Sequence, residues 1–457
     1  MNRRRNQKSW AMLLVAIAVA TTVRPQEAPR SRESAPGAGS PVTLDGAIQE
    51  ALAHNLSYQS ELEQVGVARG LLLQAKAIPN PVGSGSATSD RSFANEGEKG
   101  WTAGLEQEFE TVHKRRYRML GAQSELERVQ HASEAAQQDI VRRATQAFFA
   151  LLRSRRDLDL ANEDLTILQH LVDLTDNRVR LGEAAGLDLN LVQIELARTQ
   201  RELLEFGRSA HQALVELDLV LGREAERPIH LAGDFPPPSP IASTDGYYLA
   251  ATLQRRPEIL AAESELVERQ HQEQLAKALG VPNLTLGAGY QEDNRVVATT
   301  AVGSVGIRKD RAFVLSVAVP LPIFNRNRGN VEAAHHEALS ADAGLKYLRS
   351  AVEAEVRVAL ANYRSRLAVR DLYESSILPP LRKSLDSIVE AYRLGNESVF
   401  AVIQAQRTFF DTRHEYLAAL FDAENERAQL RRALGLSPSE SLQDLGAAPA
   451  ASSRGIE

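Results

Sequence analysis

Two hydrophobic periods alternate along this chain, and the alternation occurs twice. From Leu44 to Leu56 apolar residues fall at helical spacing, and the pattern continues to Ala77. Pro79-Asn80-Pro81 ends it, because proline removes a backbone donor and fixes φ. The period then changes. In Trp101 to Glu110 the odd positions are mostly apolar and the even ones polar or Gly, which predicts a strand with one apolar and one wet face. Val82 to Ser89 is a second strand of small and polar residues, with Arg91 to Gly100 as the loop between them. Leu284, Leu286, Ala288 and Tyr290 alternate in the same way, as do Phe313, Leu315, Val317, Val319 and Leu321, across an expected loop from Asp293 to Ala312. Hairpins are therefore expected at 82–110 and 284–321, four strands in all.

The helical stretches between them are long. Ala122 to Leu181 has neither Gly nor Pro, and Leu151, Leu158, Leu165, Val172 and Val179 fall seven apart within it, so the spacing predicts coiled-coil packing. A turn at Gly182–Gly186 reverses the chain into a second helix from Leu187 to Leu221. In the later part Gly344 and Pro379-Pro380 predict a break or kink in the descending arm. After Gly395 the helix from Val399 to Leu434 keeps the heptad through Ile403, Phe410 and Leu417.

These parts are two copies of one unit. Ala75-Lys76-Ala77 recurs as Ala276-Lys277-Ala278, 201 positions on; Arg180-Leu181-Gly182 recurs as Arg393-Leu394-Gly395 and Leu221-Gly222 as Leu434-Gly435, both 213 positions on. The expected organisation is a signal peptide at 1–20, a flexible leader at 21–41 and a first repeat at 42–231 with a tip near 182–188. A Pro-rich linker follows at 232–245, then a second repeat at 246–436 with a tip near 395–400, and a tail at 437–457. The signal reading rests on Arg3, Arg4, Arg5 and Lys8 ahead of the apolar run Trp10–Ala20, which closes on Ala18-Val19-Ala20. That run is too short to span a bilayer.

Composition narrows the function. The formal charge is −6, and removal of residues 1–20 makes it about −10, so no nucleic-acid partner is expected. The absence of cysteine excludes disulfides, thiolate metal sites, a cysteine nucleophile and an acylated N-terminal cysteine. No Ser/His/Asp set, pocket-like carboxylate pair or nucleotide motif is evident, so no catalytic residue, no cofactor and no enzyme activity is expected. His335-His336 points two rings about 100° apart, which does not suit chelation from one face. Gly83-x-Gly85 and Gly287-x-Gly289 lie inside alternating strands rather than ahead of helices, so they read as small barrel residues and not as phosphate loops. Arg326 and Arg328 suit the lipid headgroup level.

Four strands with one apolar face leave open edges that lipid does not satisfy, so the barrel must close with other copies. A dimer would give eight strands and a trimer twelve, with room for a lumen. The rival class is a structural or adhesive coiled coil without transport, for which duplicated amphipathic hairpins have no use.

At these residues the chain resembles the TolC-like outer-membrane efflux family, over essentially all of Leu44 to Gly435. LDGAIQEALAHNL matches the family's opening helix, AKAIPNP and AKALGVPNL its helix-to-strand joints, and Val319 to Gly329 (VPLPIFNRNRG) its second strand-to-helix joint, most like the heavy-metal branch. The resemblance implies a mainly α fold with a β-barrel portion. Long coiled-coil hairpins would form a periplasmic barrel, and four strands per chain would contribute to a homotrimeric twelve-stranded barrel in outer-membrane lipid. It implies a passive exit duct for metal cations or small toxic compounds, with a periplasmic adaptor and an inner-membrane pump as partners. It also places the adaptor contacts at Arg180, Leu181, Gly182, Gly186, Arg393, Leu394 and Gly395. Two aspartates that constrict the pore in the drug-exporting branch are replaced here by Ala401 and Gln404. Glu183, Glu397 and above all Asp188 are the nearby acids, and Asp188 is the candidate constriction; a helix N-cap is the alternative role for it.

Overall fold

The computed structural model describes residues 41–89, 99–223, 229–239, 241, 245–299, 304–438, 440 and 442. The expected signal segment, the leader up to residue 40 and the tail from 443 lie outside the described residues.

Each repeat opens with two helices where the sequence pattern predicts one. α1 (Leu44–His54) and α2 (Leu56–Lys76) are separated by Asn55, whose side chain accepts from Tyr58 N at 3.0 Å and donates to Val220 O at 2.8 Å. α5 (Asp245–Arg255) and α6 (Pro257–Leu279) are separated by buried Arg256, which donates to Ala433 O at 3.1 Å, and Pro257 restarts the helix. A short apolar period does not reveal a one-residue break, because the capping residue keeps the helical spacing on both sides. In the first repeat the same joint needs Gly222: a Cβ there would press on the His54 carbonyl.

The strands are β1 (Val82–Ser89), β2 (Lys99–Phe109), β3 (Leu284–Thr299) and β4 (Ser304–Ala318). They form one antiparallel sheet in the order β1-β2-β3-β4, joined across the repeats by β2 and β3 from Lys99↔Asn294 to Phe109↔Leu284. β3 and β4 run well into the stretch expected to be a loop, pairing as far as Thr299↔Ser304. The charged residues there had hidden the alternation, and they pair across strands: Arg311 meets Glu292 at 3.2 Å.

Cross-strand register sorts the side chains onto two faces. One carries Trp101, Leu105 and Phe109 with Leu286, Tyr290, Phe313, Leu315 and Val317, all exposed in the single chain. The other carries Ser84, Ser86, Thr102, Glu106, Glu108, Gln291 and Asp293. From Trp101 to Phe109 the apolar face runs about 26 Å along the strand at about 3.3 Å per residue, the length that a tilted outer-membrane strand needs to cross the apolar layer. Gly287 and Gly289 lie on the polar face and Gly83 and Gly85 on the apolar one.

Beyond the sheet, α3 (Lys114–Arg180) is one helix of 67 residues, about 100 Å long. It starts eight residues before the Gly-free stretch and accommodates Gly121. α4 (Gly186–Leu221) returns beside it. The corresponding descent in the second repeat is α7 (Arg328–Leu372), a π-helical turn (Tyr373–Ile377) and α8 (Leu378–Arg393), followed by the returning α9 (Val399–Ala433). Gly344 does not break α7. Pro379-Pro380 opens α8 instead, and the wider π turn ahead of it absorbs the missing donors and the clash with carbonyls four residues back.

The buried stripe of α3 holds the expected heptad row at Leu151 and then runs one position off it. Asp157, Ala161, Asp164, Leu168, Leu171 and Thr175 are buried, whereas Leu158, Leu165, Val172 and Val179 are half-buried. Over this stretch α3 packs against both α4 and α9, with Val192 and Val402 around Leu168 and with Leu203 and Phe410 around Ala161, so its interior line falls beside the leucine row. The Pro-rich connection after Leu231 forms no element among its described residues, yet it is packed: Phe235 stacks on Phe149 at 5.5 Å and Pro236 O accepts from Arg370 at 2.8 Å.

Candidate functional site

Both helical tips close in the same way, at the ends far from the sheet. At the first, Glu183 N donates to Arg178 O at 2.9 Å and Gly182 N to Val179 O at 3.1 Å; at the second, Asn396 N donates to Ala391 O at 2.9 Å and Gly395 N to Tyr392 O at 3.0 Å. This paired arrangement needs a left-handed residue after the helix, which Gly182 (φ 75°) and Gly395 (φ 79°) supply. Gly186, at the end of the expected turn, is not left-handed: it is the first residue of α4.

The tips present apolar side chains to solvent. Leu181 is 73% exposed, Leu187 67%, Leu394 68% and Phe400 56%. Arg180 is held by Asp176 and Arg393 by Glu390, the latter at 3.7 Å, so these cations flank an apolar knob rather than reach away from it. Asp188 sits at the third position of α4, not at the cap. Its carboxylate accepts from Ala185 N at 3.2 Å, supplying the return half of a capping box that Ala185 has no acceptor to complete. Ala401 donates its backbone N–H to Ser398 Oγ at 3.2 Å, and Gln404 is exposed.

A contact between the two tips escaped the sequence reading. The Arg178 guanidinium lies over the Tyr392 ring at 4.8 Å and donates to Tyr392 O at 3.1 Å, while the buried Tyr392 hydroxyl meets Thr175 Oγ1 at 3.1 Å. Leu168, Leu171, Val192, Val399, Val402 and Ile403 pack around them. The signal was the departure of Tyr392 from its repeat counterpart Val179.

Higher in the helices a carboxylate is buried between the repeats. Asp164 on α3 accepts from Gln406 Nε2 on α9 at 2.7 Å and from Thr199 Oγ1 on α4 at 3.3 Å. Burial raises its pKa above the ordinary carboxylate range, against those two hydrogen bonds, and the nearby Glu195 and Glu202 of α4 push the same way. The folded state therefore favours the proton, and the stability this brings at low pH is lost as pH rises through the raised value. Asp164→Asn keeps both partners without the charge. It should raise the thermal midpoint at pH 7.5 and leave it unchanged at pH 4, as a melting series across pH would show.

The two histidines singled out by sequence pair with different carboxylates: His335 with Glu273 at 3.4 Å, His336 with Glu332 at 3.2 Å. No group of three or more potential metal ligands occurs among the described residues. Arg326 donates to Pro322 O at 3.4 Å within the joint below the sheet.

Against known proteins, the model of the family described as "Outer membrane efflux protein" matches residues 47–223 and 249–436, so it meets the chain in two segments. The cobalt-zinc-cadmium resistance protein CzcC of Cupriavidus metallidurans is 25% identical over 403 residues, covering 87% of this chain and 91% of that one. The toluene efflux pump outer membrane protein TtgF of Pseudomonas putida is 24% identical over 418 residues, covering 86% and 83%. The crystal structure of CusC superposes with a TM-score of 0.72 at 19% identity over 86% of this chain and 92% of that one, a likeness of fold.

Proposed function

The chain belongs to the outer membrane efflux protein family, and from that premise we propose that three copies close a twelve-stranded barrel whose helical tips dock a periplasmic adaptor. It is an outer-membrane exit duct of a tripartite efflux system, with its helices reaching into the periplasm. The observation that carries the trimer is the sheet: it has one apolar and one polar face, and β1 and β4 each have a single neighbour among the described residues. In lipid such edges must pair, and twelve strands leave a lumen that eight would fill. Exposed apolar residues on the helices, among them Leu73, Leu204, Leu219 and Tyr347, supply surfaces for neighbouring copies.

The tips meet the adaptor through Leu181 and Leu394, with Arg180, Gly182, Gly186, Arg393 and Gly395 shaping the turns. An inner-membrane pump delivers the substrate, and the duct itself carries no catalysis. Metal cations are the substrate class best supported. The polar face of the sheet bears Glu106, Glu108 and Asp293, and the joint Val319 to Gly329 and the relative named for cobalt, zinc and cadmium point the same way.

Asp188 gives the pore its electrostatic constriction. Three copies facing one axis disfavour full ionisation and attract a multivalent cation. Purified protein in a planar bilayer should conduct, and trivalent cations should block it from the tip side. Asp188→Asn retains an acceptor for Ala185 N but no charge, so block should weaken several-fold with the helix start preserved. Unchanged block would leave Asp188 as a helix-capping residue only.

A further inference from the structure

On the outward face of the sheet a row of cations begins where the apolar band ends. Trp101, Tyr290 and Phe313 form an aromatic girdle there, with the Trp101 and Tyr290 rings 5.3 Å apart. In register with Trp101 stand Glu292 and Arg311; the next outward positions are Lys99, Asn294 and Lys309, on β2, β3 and β4. This end of the sheet is the one away from the helices, which leave from the Phe109, Leu284 and Ala318 ends. With the helices in the periplasm, these side chains lie at the headgroups of the outer leaflet.

The cations exceed the anions. Glu292 is the acid in this row, and Arg311 and Lys309 both approach it, at 3.2 and 3.8 Å. Its carboxylate is 20% exposed, whereas Arg311 and Lys309 remain 66% and 61% exposed. Lys99 adds a third positive charge two strands from Lys309, about 10 Å across at ordinary strand spacing, the breadth of a disaccharide. Inward-facing Arg308 is different: it pairs with Asp310 at 2.9 Å on the lumen side. Exposed cations directly above an aromatic girdle, contiguous with an acyl-chain surface, complement an amphiphile with phosphates on its headgroup.

We propose that Lys99, Lys309 and Arg311 form a binding site for the phosphorylated glycolipid of the outer leaflet, with its acyl chains lying on the apolar band below. Guanidinium and ammonium donors hold phosphate oxygens, and Glu292 fixes Arg311 and Lys309 toward each other so that the site is set before lipid arrives. The inference goes beyond the duct reading and requires only that the sheet lies in the bilayer with its apolar face to lipid and the helices on the periplasmic side.

Native mass spectrometry of the detergent-solubilised protein, titrated with bis-phosphorylated lipid A and with the same lipid lacking phosphates, tests it. The phosphorylated lipid should bind at least about tenfold more tightly, since each surface cation contributes about a fivefold gain and three of them act together. Millimolar inorganic phosphate should not displace it. The variant K99Q/K309Q/R311Q should lose the preference, and K99R/K309R/R311K should keep it. If the triple glutamine variant does not assemble, K99Q alone should weaken binding a few-fold. Equal binding of the phosphate-free lipid, a preference that survives charge removal, or full displacement by inorganic phosphate would each overturn the site. Channel conductance measured on the same samples separates that failure from failure of the duct.

Discussion

Leu315→Arg should abolish insertion of the folded protein into the outer membrane, while Val314→Arg, one residue away, should leave insertion intact and change conduction. Hydropathy alone treats these two neighbours alike. Register does not: Leu315 stands opposite Ala288 and Leu105 on the apolar face, and Val314 stands opposite Gly289 and Gly104 on the polar one. Leu315 is 74% exposed in the single chain, a large apolar surface that lipid covers. A charge at the bilayer midplane of a barrel costs about 2–4 kcal/mol in each copy, whereas the lumen hydrates it. Membrane fractionation with a heat-modifiability assay reads insertion, and planar-bilayer recordings read conduction. Equal tolerance at both positions would mean that the sheet does not have a lipid face and a water face.

The second large effect lies at the tips. Gly182→Val combined with Gly395→Val should remove efflux while the assembled protein persists. Both glycines hold φ near +75 to +79°, where a β-branched residue is strained, so each turn must change its path. No heavy atom lies within 4 Å of a Cβ placed on Gly182, and at Gly395 the nearest is an Arg178 nitrogen at 3.9 Å, so the disturbance stays in the turn. Leu181 and Leu394, the exposed apolar side chains of the tips, then point elsewhere. A sensitivity test of the complemented deletion strain against a panel of metal cations and small toxic compounds, alongside the amount of assembled protein, reads the outcome. Normal resistance in the double variant would remove the tips from the docking site.

The regular parts of this fold were legible because their periods are pure. Leu284 to Tyr290 alternates without interruption and Trp101 to Glu110 departs from alternation at Gln107 alone, and the Arg-Leu-Gly strings mark both reversals. Legibility failed where one side chain answers to a distant partner. Asn55 and Arg256 stop helices because Val220 O and Ala433 O stand across from them, contacts far away in sequence. Arg311 and Glu292 keep strands going through residues that read as loop, because each neutralises the other. Asp164 lies in the buried stripe of a coiled coil, satisfied by Gln406, 242 positions away. At the tips the strings located the turns, but the Arg178–Tyr392 contact that ties one to the other joins residues 214 apart. Local pattern carries periods and turns; pairing between the repeats has to be seen.

The central claim is that four strands per chain become one closed barrel through three copies, and the mass of the assembly tests it most directly. Native mass measurement of the detergent-purified protein should give three chains as the dominant species, with Leu315 and its neighbours buried in the micelle. A dominant monomer or dimer in a folded, conducting sample would contradict a trimeric twelve-stranded duct.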